Sequence, residues 1–308
     1  METITVLLST YNGERYIQDQ LDSLLAQPFK INLLVRDDGS SDSTVTIIEQ
    51  YKKRFNEIII MEEHNVGATN SYHLLANEAV RQYADCDYFA FCDQDDIWLE
   101  NKISVAIEKL SELDQGKPAL YFSNLLMVDN DLNRLGMLLD NKAVSHNRYN
   151  ALASVLTYGC TCVFNREALK CFCRLDKEHY SIFHDNWIYS VCVFLGTVIY
   201  DENSYILYRQ TGNNVSGTKQ VGLKLWLQRI KNIFFEKGSY RVYENIARQL
   251  LIYFKVQLQN DDVEYLNLFL GYRKKFTNKI NLLFSRKTKT RRLSKNICII
   301  GRIILNRF

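Results

Sequence analysis

The sequence predicts an α/β fold, a mostly parallel sheet with helices on both faces, followed by a basic helical C-terminal region. Three observations predict it. Short apolar runs alternate with amphipathic stretches through the first third of the chain, each apolar run ends in a polar loop, and the charge changes sign near residue 218.

The elements follow in order. Ile4 to Leu8 is an apolar β run that ends at Ser9-Thr10-Tyr11-Asn12-Gly13, where Asn-Gly marks a turn. Helical spacing then carries Tyr16, Leu21, Leu24 and Leu25 until Pro28 stops it. Ile31 to Val35 is a second strand, and Asp37-Asp38-Gly39-Ser40-Ser41-Asp42 leads into a helix with Val45, Ile48 and Tyr51 on one face. A third strand at Ile58 to Met61 precedes a helix beginning near Gly67. A fourth, Tyr88 to Cys92, runs straight into Asp93-Gln94-Asp95-Asp96. Repeated β-turn-α units of this length imply parallel strands covered by helices. Further on come a strand at Leu120 to Val128, an apolar stretch from Leu152 to Phe164, and a helix from about Asp185. Tyr205 to Tyr208 then opens a polar loop, Arg209 to Asn214, able to close over a ligand.

Of 308 residues, 47% are hydrophobic and 24% charged, a globular composition with no disordered or fibrous bias. Residues 1–218 carry 18 Lys and Arg against 30 Asp and Glu, a net of −12, whereas residues 219–308 carry 20 against 5, a net of +15. This asymmetry divides the chain into a catalytic part, 1–218, and a basic amphipathic helical region, 219–308, suited to an anionic membrane or a partner. No acidic residue follows Gly271. The eight cysteines form no Cys-x-x-Cys pair, and several lie in apolar runs, which predicts reduced thiols rather than zinc ligands. The N-terminus lacks the pattern of a secretory signal, and no apolar run is long enough to span a bilayer, so a cytoplasmic location is expected.

In parallel sheets ligands bind beyond the carboxyl ends of the strands. Ser9 to Asn12, Asp37 to Ser40 and Asp93 to Asp96 all follow strands directly, so these loops are expected to converge on one sheet edge. Crowded carboxylates repel unless a cation offsets them, and Mg2+ or Mn2+ with one or two carboxylates suits a nucleotide diphosphate. Asp93 and Asp95 are therefore read as ligands, while Asp96 is read as a cap for the helix around Leu99 to Leu113. Asp38, beyond its strand end, is placed to accept a hydrogen bond from a pyrimidine ring N–H. Asn65-Val66-Gly67 precedes a helix, where Gly67 can approach a phosphate through backbone N–H groups. His64 is read as an exposed or satisfied histidine. Asp185 at a helix start is open to two roles, N-cap or general base.

Together these residues resemble the family-2 inverting glycosyltransferases with a GT-A fold. The carriers are the run Leu7 to Ile17, Arg36 to Asp42, Asn65-Val66-Gly67 and Phe91 to Trp98. Asp93-Gln94-Asp95-Asp96-Ile97-Trp98, His184-Asp185 and Tyr208-Arg209-Gln210 look most like the bacterial rhamnosyltransferase branch that builds surface polysaccharides. The resemblance implies that Ser9 and Tyr11 line the nucleotide pocket and that Asp38 reads the base. It places Asp93 near ribose and metal, makes Asp95 the direct metal ligand, and makes Asp185 the base that deprotonates the acceptor hydroxyl. Two features depart from the family's pattern: His184-Asp185 stands where members often carry Glu-Asp, and the Gln-x-x-Arg-Trp signature of processive synthases is absent, which implies single-sugar transfer. The implied partners are a dTDP- or UDP-sugar donor, a lipid-linked glycan acceptor and the inner face of the cell membrane. A homo-oligomer is left open.

Arg286-Lys287-Thr288-Lys289-Thr290-Arg291-Arg292 followed by the apolar run Ile297 to Leu305 suits peripheral membrane docking, against packing on the domain or a partner. Nucleic-acid binding through this tail is the competing class, but no groove-reading or base-stacking motif accompanies the charge. The carboxylates at Asp38, Asp95 and Asp185 argue against an inactive scaffold.

Overall fold

A computed structural model describes residues 2–144, 147–153, 157–180, 182–211 and 241–307. The chain divides into two compact units. The first comprises Met1–Leu138, Thr157–Cys192 and Gly196–Gly217, and the second Leu139–Leu156, Val193–Leu195 and Thr218–Phe308. The division is therefore not the single cut near residue 218 that charge alone suggested, because two earlier segments fold with the C-terminal helices.

The first unit is built on a nine-stranded sheet whose strands, in spatial order, are β3 (Glu57–Glu62), β2 (Lys30–Asp37), β1 (Thr3–Thr10), β4 (Tyr88–Asp93), β8 (Val163–Asn165), β6 (Ala119–Val128), β9 (Thr197–Arg209) and β5 (Ile97–Trp98), with β7 (Arg134–Met137) paired to β6. One half is parallel: β1 (Thr3–Thr10), β2 (Lys30–Asp37), β3 (Glu57–Glu62) and β4 (Tyr88–Asp93). Ile4, Val6, Leu7 and Leu8 of β1 and Phe89 to Cys92 of β4 are wholly buried, as expected for strands covered on both faces. The helices α1 (Ile17–Leu25), α2 (Thr44–Gln50) and α3 (Ala68–Gln82) make the crossovers. The other half is mixed. β8 (Val163–Asn165) runs antiparallel between β4 and β6 (Ala119–Val128), β9 (Thr197–Arg209) is parallel to β6, and the two-residue β5 (Ile97–Trp98) is antiparallel to β9. The apolar stretch at Leu152 to Phe164 thus ends in a three-residue strand, too short for period-2 alternation to register. β7 (Arg134–Met137), α4 (Lys102–Ser111), α5 (Arg166–Phe172) and α6 (His184–Leu195) are the remaining described strand and α-helices before residue 211, beside four short 3-10 turns.

Register sets the site. Ser9 is the partner of Arg36 on one side and of Asp93 on the other, and Thr10 is the partner of Asp37, so three strands end at one height. The Arg209–Asn214 loop expected to follow β9 is described only as far as Thr211; its remainder lies outside the described residues.

The second unit contains α7 (Arg241–Phe254), α8 (Asn260–Gly271), α9 (Phe276–Phe284) and α10 (Leu293–Ile304). Arg148 donates to Asp262 at 3.0 Å, Arg292 to Asp140 at 2.6 Å, and Lys279 Nζ to the Ile304 carbonyl at 2.6 Å. Among the described residues no helix is long and apolar enough to cross a membrane. All eight cysteines are free thiols.

Candidate active site

The three loops meet and lock to one another. The Gln94 amide bridges both sides of the Tyr11 peptide, accepting from its N–H at 2.9 Å and donating to its carbonyl at 3.0 Å. A Cβ on Gly13 would lie 2.3 Å from the Gln94 Oε1, so this approach requires glycine. Asn12 takes the left-handed conformation, with φ 47°. Its N–H donates to Ser40 Oγ at 2.8 Å, and its side-chain oxygen accepts from the Ser41 N–H at 2.9 Å. Asp37 Oδ1 accepts from the N–H groups of Gly39 and Ser40, while its Oδ2 accepts from the hydroxyls of Thr10 and Ser40. Ser9 stays half-buried and Tyr11 is 49% exposed, leaving its ring open to a flat ligand.

Asp38 has a different place from the one expected. It is 2% exposed, pairs with the buried Arg36, and accepts from the N–H groups of Val66 and Gly67, both at 2.8 Å. Burial alone would raise its pKa, but the Arg36 guanidinium and these two N–H groups hold it below the ordinary carboxylate range. In this structure Asp38 fixes the turn before α3 rather than presenting a free oxygen to a base. The same contacts occupy the Gly67 N–H, so it is not open to a phosphate. Asn65 and Gly67 are exposed at the rim, and His64 is exposed.

Asp93, Asp95 and Asp96 form one electrostatic unit. Asp93 and Asp95 are half-buried and Asp96 is fully buried. Burial raises all three carboxyls, and the Asp93 charge adds to the rise at Asp95, which reaches about 7, and at Asp96. Asp93 Oδ1 accepts from the Tyr72 hydroxyl at 2.5 Å, which opposes the rise. Asp96 is not the expected helix cap: α4 begins six residues later at Lys102, and Asp96 Oδ1 instead accepts from the Arg209 N–H at 3.2 Å. Its Oδ2 has no hydrogen-bond partner. Asp93, Asp96 and the Cys160 thiol offer ligand atoms within 4.8 Å of one another.

Asp185 opens α6 and accepts from the Asn186 N–H at 2.7 Å. Burial first, and then the Asp93 charge, raise its carboxyl to about 7. The fold thus brings residue 185 within electrostatic reach of residue 93, which no local pattern specifies. A carboxylate tuned near neutral pH can take a proton from a hydroxyl.

Two buried cations stand beside this cluster: Arg209, which the sequence marked within Tyr208-Arg209-Gln210 and at the start of a polar loop, and Lys102, which it did not mark. Arg209, at the end of β9, is 3% exposed; its Nε donates to the Asp95 carbonyl at 3.1 Å, Nη1 to the Asn130 carbonyl at 2.9 Å, and Nη2 to Asp19 at 2.9 Å. Its guanidinium also lies over the Tyr16 ring. Lys102 is 1% exposed, its Nζ 3.6 Å from the centre of the Trp98 ring and without a hydrogen-bond partner; burial lowers it to about 8. The signal for Arg209 was its place at the head of a polar loop and in that motif; Lys102, the first residue of α4, carried none.

The profile described as Glycosyl transferase family 2 matches residues 5–172. The chain is 27% identical over 315 residues to the dTDP-rhamnosyl transferase RfbG of Shigella flexneri, covering 98% of this chain and 100% of that protein. It is also 27% identical over 274 residues to WfgD of Escherichia coli, a UDP-Glc:alpha-D-GlcNAc-diphosphoundecaprenol beta-1,3-glucosyltransferase, covering 86% and 97%. Among solved structures, S. aureus TarS 1-349 in complex with UDP-GlcNAc matches with a TM-score of 0.54 and 15% identity over 98% of this chain and 90% of that one. That likeness supports the GT-A fold. With acidic strand-end loops on one sheet edge and over half its length matched by the profile, the chain belongs to glycosyl transferase family 2.

Proposed function

We propose that this chain transfers one sugar, L-rhamnose from dTDP-L-rhamnose, to a lipid-linked glycan acceptor in surface polysaccharide synthesis, with inversion at the anomeric carbon. The observation that carries the transferase reading is the gathering of Asp93 and Asp95, at the end of β4, with Asp185, at the start of α6 and near enough for the Asp93 charge to raise its carboxyl. The full-length similarity to RfbG supports rhamnose, and the diphosphoundecaprenol in the name of WfgD supports a lipid-linked acceptor. A UDP-hexose donor is the second reading, favoured by the UDP-Glc of the WfgD name. A panel of dTDP- and UDP-sugars, scored by nucleoside diphosphate release, tests both. Release from dTDP-L-rhamnose alone is expected; release from UDP-glucose instead would replace the first reading with the second.

In this reading the exposed Tyr11 ring and Ser9 line the nucleotide pocket, with Asn65 and Gly67 at its rim, and Asp38 serves the base only indirectly, by holding the turn beside it. Asp93 and Asp95 would hold Mg2+ or Mn2+. Their carboxylates fit a hard cation, since burial disfavours the charge on all three, the Asp93 charge adds to this at Asp95 and Asp96, and one Asp96 oxygen has no hydrogen-bond partner. The soft Cys160 thiol does not suit such an ion. A bound cation would stabilise charge on the departing diphosphate. Asp185 takes the acceptor proton as its oxygen attacks from the opposite side.

The second unit is assigned to an anionic membrane surface at the cytoplasmic face. Its two last helices carry two apolar faces each. Leu282, Ile299 and Ile303 are buried, yet Phe276, Ile280 and Phe284 on α9, and Leu293, Ile297, Ile300 and Ile304 on α10, are between 39% and 77% exposed at helical spacing. No acidic residue lies beyond Gly271 to oppose binding to anionic headgroups. Replacing Phe276, Phe284 and Leu293 by Ser in the full chain is expected to lower binding to phosphatidylglycerol vesicles at least about tenfold, from lost apolar burial. Undiminished sedimentation with vesicles would refute this assignment, and capture by duplex DNA in place of vesicles would favour the nucleic-acid reading.

A further inference from the structure

Behind the carboxylates lies a set of buried side chains that the reading above does not use. Tyr72 and His73, adjacent on α3, face two parts of the same neighbouring segment. Tyr72, 1% exposed, holds its hydroxyl 2.5 Å from Asp93 Oδ1 and 2.6 Å from the Cys92 carbonyl oxygen, with its one proton shared between them. Its ring lies against the His184 imidazole, with centroids 4.0 Å apart and planes 32° apart. His73 Nε2–H donates to the Ile182 carbonyl at 3.0 Å, and its ring stacks between Phe172 and Tyr180 at 4.7 and 4.5 Å. α3 therefore grips the chain on both sides of Phe183, just before Asp185.

His184 completes the fit. Neither ring nitrogen has a hydrogen-bond partner, so the imidazole serves as a flat apolar plate. Phe91 of β4 meets it edge-on, with centroids 4.9 Å apart. On the remaining side is Gly159, where an added Cβ would lie 2.2 Å from His184 Nε2. A five-membered ring fills the gap between Tyr72 and the Gly159 backbone, and a side chain at 159 would expel it. Burial keeps the imidazole uncharged.

We infer that Tyr72 and His184 are positioning residues that set the spacing between Asp93, on the donor side, and Asp185, on the acceptor side: Tyr72 holds Asp93 through its hydroxyl and Asp185 through the ring of the residue preceding it. The inference rests on Asp185 being the base. A base displaced by about an ångström loses rate without losing donor affinity, because the donor contacts stay in place.

The test uses the full chain, with kcat and KM for nucleoside diphosphate release from the sugar nucleotide that the panel identifies, and calorimetry with that nucleoside diphosphate to count binding sites per folded chain. His184→Ala and Gly159→Ala are each expected to lower kcat between about tenfold and a hundredfold, with donor KM within about twofold and binding stoichiometry unchanged. Because both act by displacing one ring, the double variant is expected to be no slower than the slower single variant, whereas independent effects would multiply. Tyr72→Phe keeps the ring and loses the hydroxyl, so donor KM is expected to rise more than kcat falls. Multiplicative loss in the double variant, unaltered kcat in Gly159→Ala, or a Tyr72→Phe change confined to kcat would each overturn the inference. Failure of the base assignment is separately visible, since Asp185→Asn would then turn over normally whatever the His184 variants do.

Discussion

Asp185→Asn is expected to bind the donor nucleotide as the parent protein does and to lose transfer by roughly a hundredfold to ten-thousandfold, the range that general-base catalysis supplies. Asn has the shape of Asp and still accepts the Asn186 N–H, but it cannot take a proton. The same residue sets the pH dependence. A base must be ionised to act, and burial together with the Asp93 charge raises Asp185 to about 7. The rate is therefore expected to be full above this range and to fall, about tenfold per pH unit, as pH drops below it. A cation held by Asp93 offsets the second contribution and moves this limb to lower pH. Calorimetry for binding and a pH profile of kcat for turnover separate the two statements; retained turnover in the variant would exclude Asp185 as the base.

Asp95→Ala is expected to abolish the part of donor affinity that depends on a divalent cation. Asp95 lies in a cluster where burial raises three carboxyls, the Asp93 charge adds to the rise at Asp95, and the Asp95 and Asp93 charges add to the rise at Asp96. Removing Asp95 relieves that repulsion, so the fold is not expected to suffer. Nucleoside diphosphate affinity measured with and without Mn2+ should differ by about tenfold or more in the parent and by little in the variant, since a ligand to a bridging cation is gone. An unchanged Mn2+ dependence in the variant would sink the assignment of Asp95 as a ligand, with Asp96 and Cys160 then the alternatives beside Asp93.

Much of the first unit was legible because its parallel strands are short apolar runs, each stopped by a turn motif, and burial on both faces leaves little else for such runs to do. The predicted strands at Ile4, Ile31, Ile58, Tyr88 and Leu120 all lie within observed ones. β5 and β8 were not legible. Strands of two and three residues have no periodicity of their own and exist because β9 and β4 provide the ladders they join.

By itself the sequence determined which side chains would crowd the sheet edge. Ser9-Thr10, Asp37 and Asp93 close three adjacent strands, and parallel pairing leaves the residues at those ends one common side to occupy. Only the tertiary structure decided what each carboxylate does there. Asp38 and Asp93 each follow or end an apolar strand and look alike in sequence. Yet Arg36, Val66 and Gly67 saturate Asp38 and pull its pKa down, while burial with too few donors pushes Asp93 up. Likewise Arg209 reaches Asp19 and the Asp95 carbonyl only because β9 pairs with β5, and Tyr72 reaches Asp93 and His184 only because α3 packs behind β4. Local pattern can place a charged group at a strand end, but its protonation and partners depend on neighbours distant in sequence, and those are set when the sheet closes.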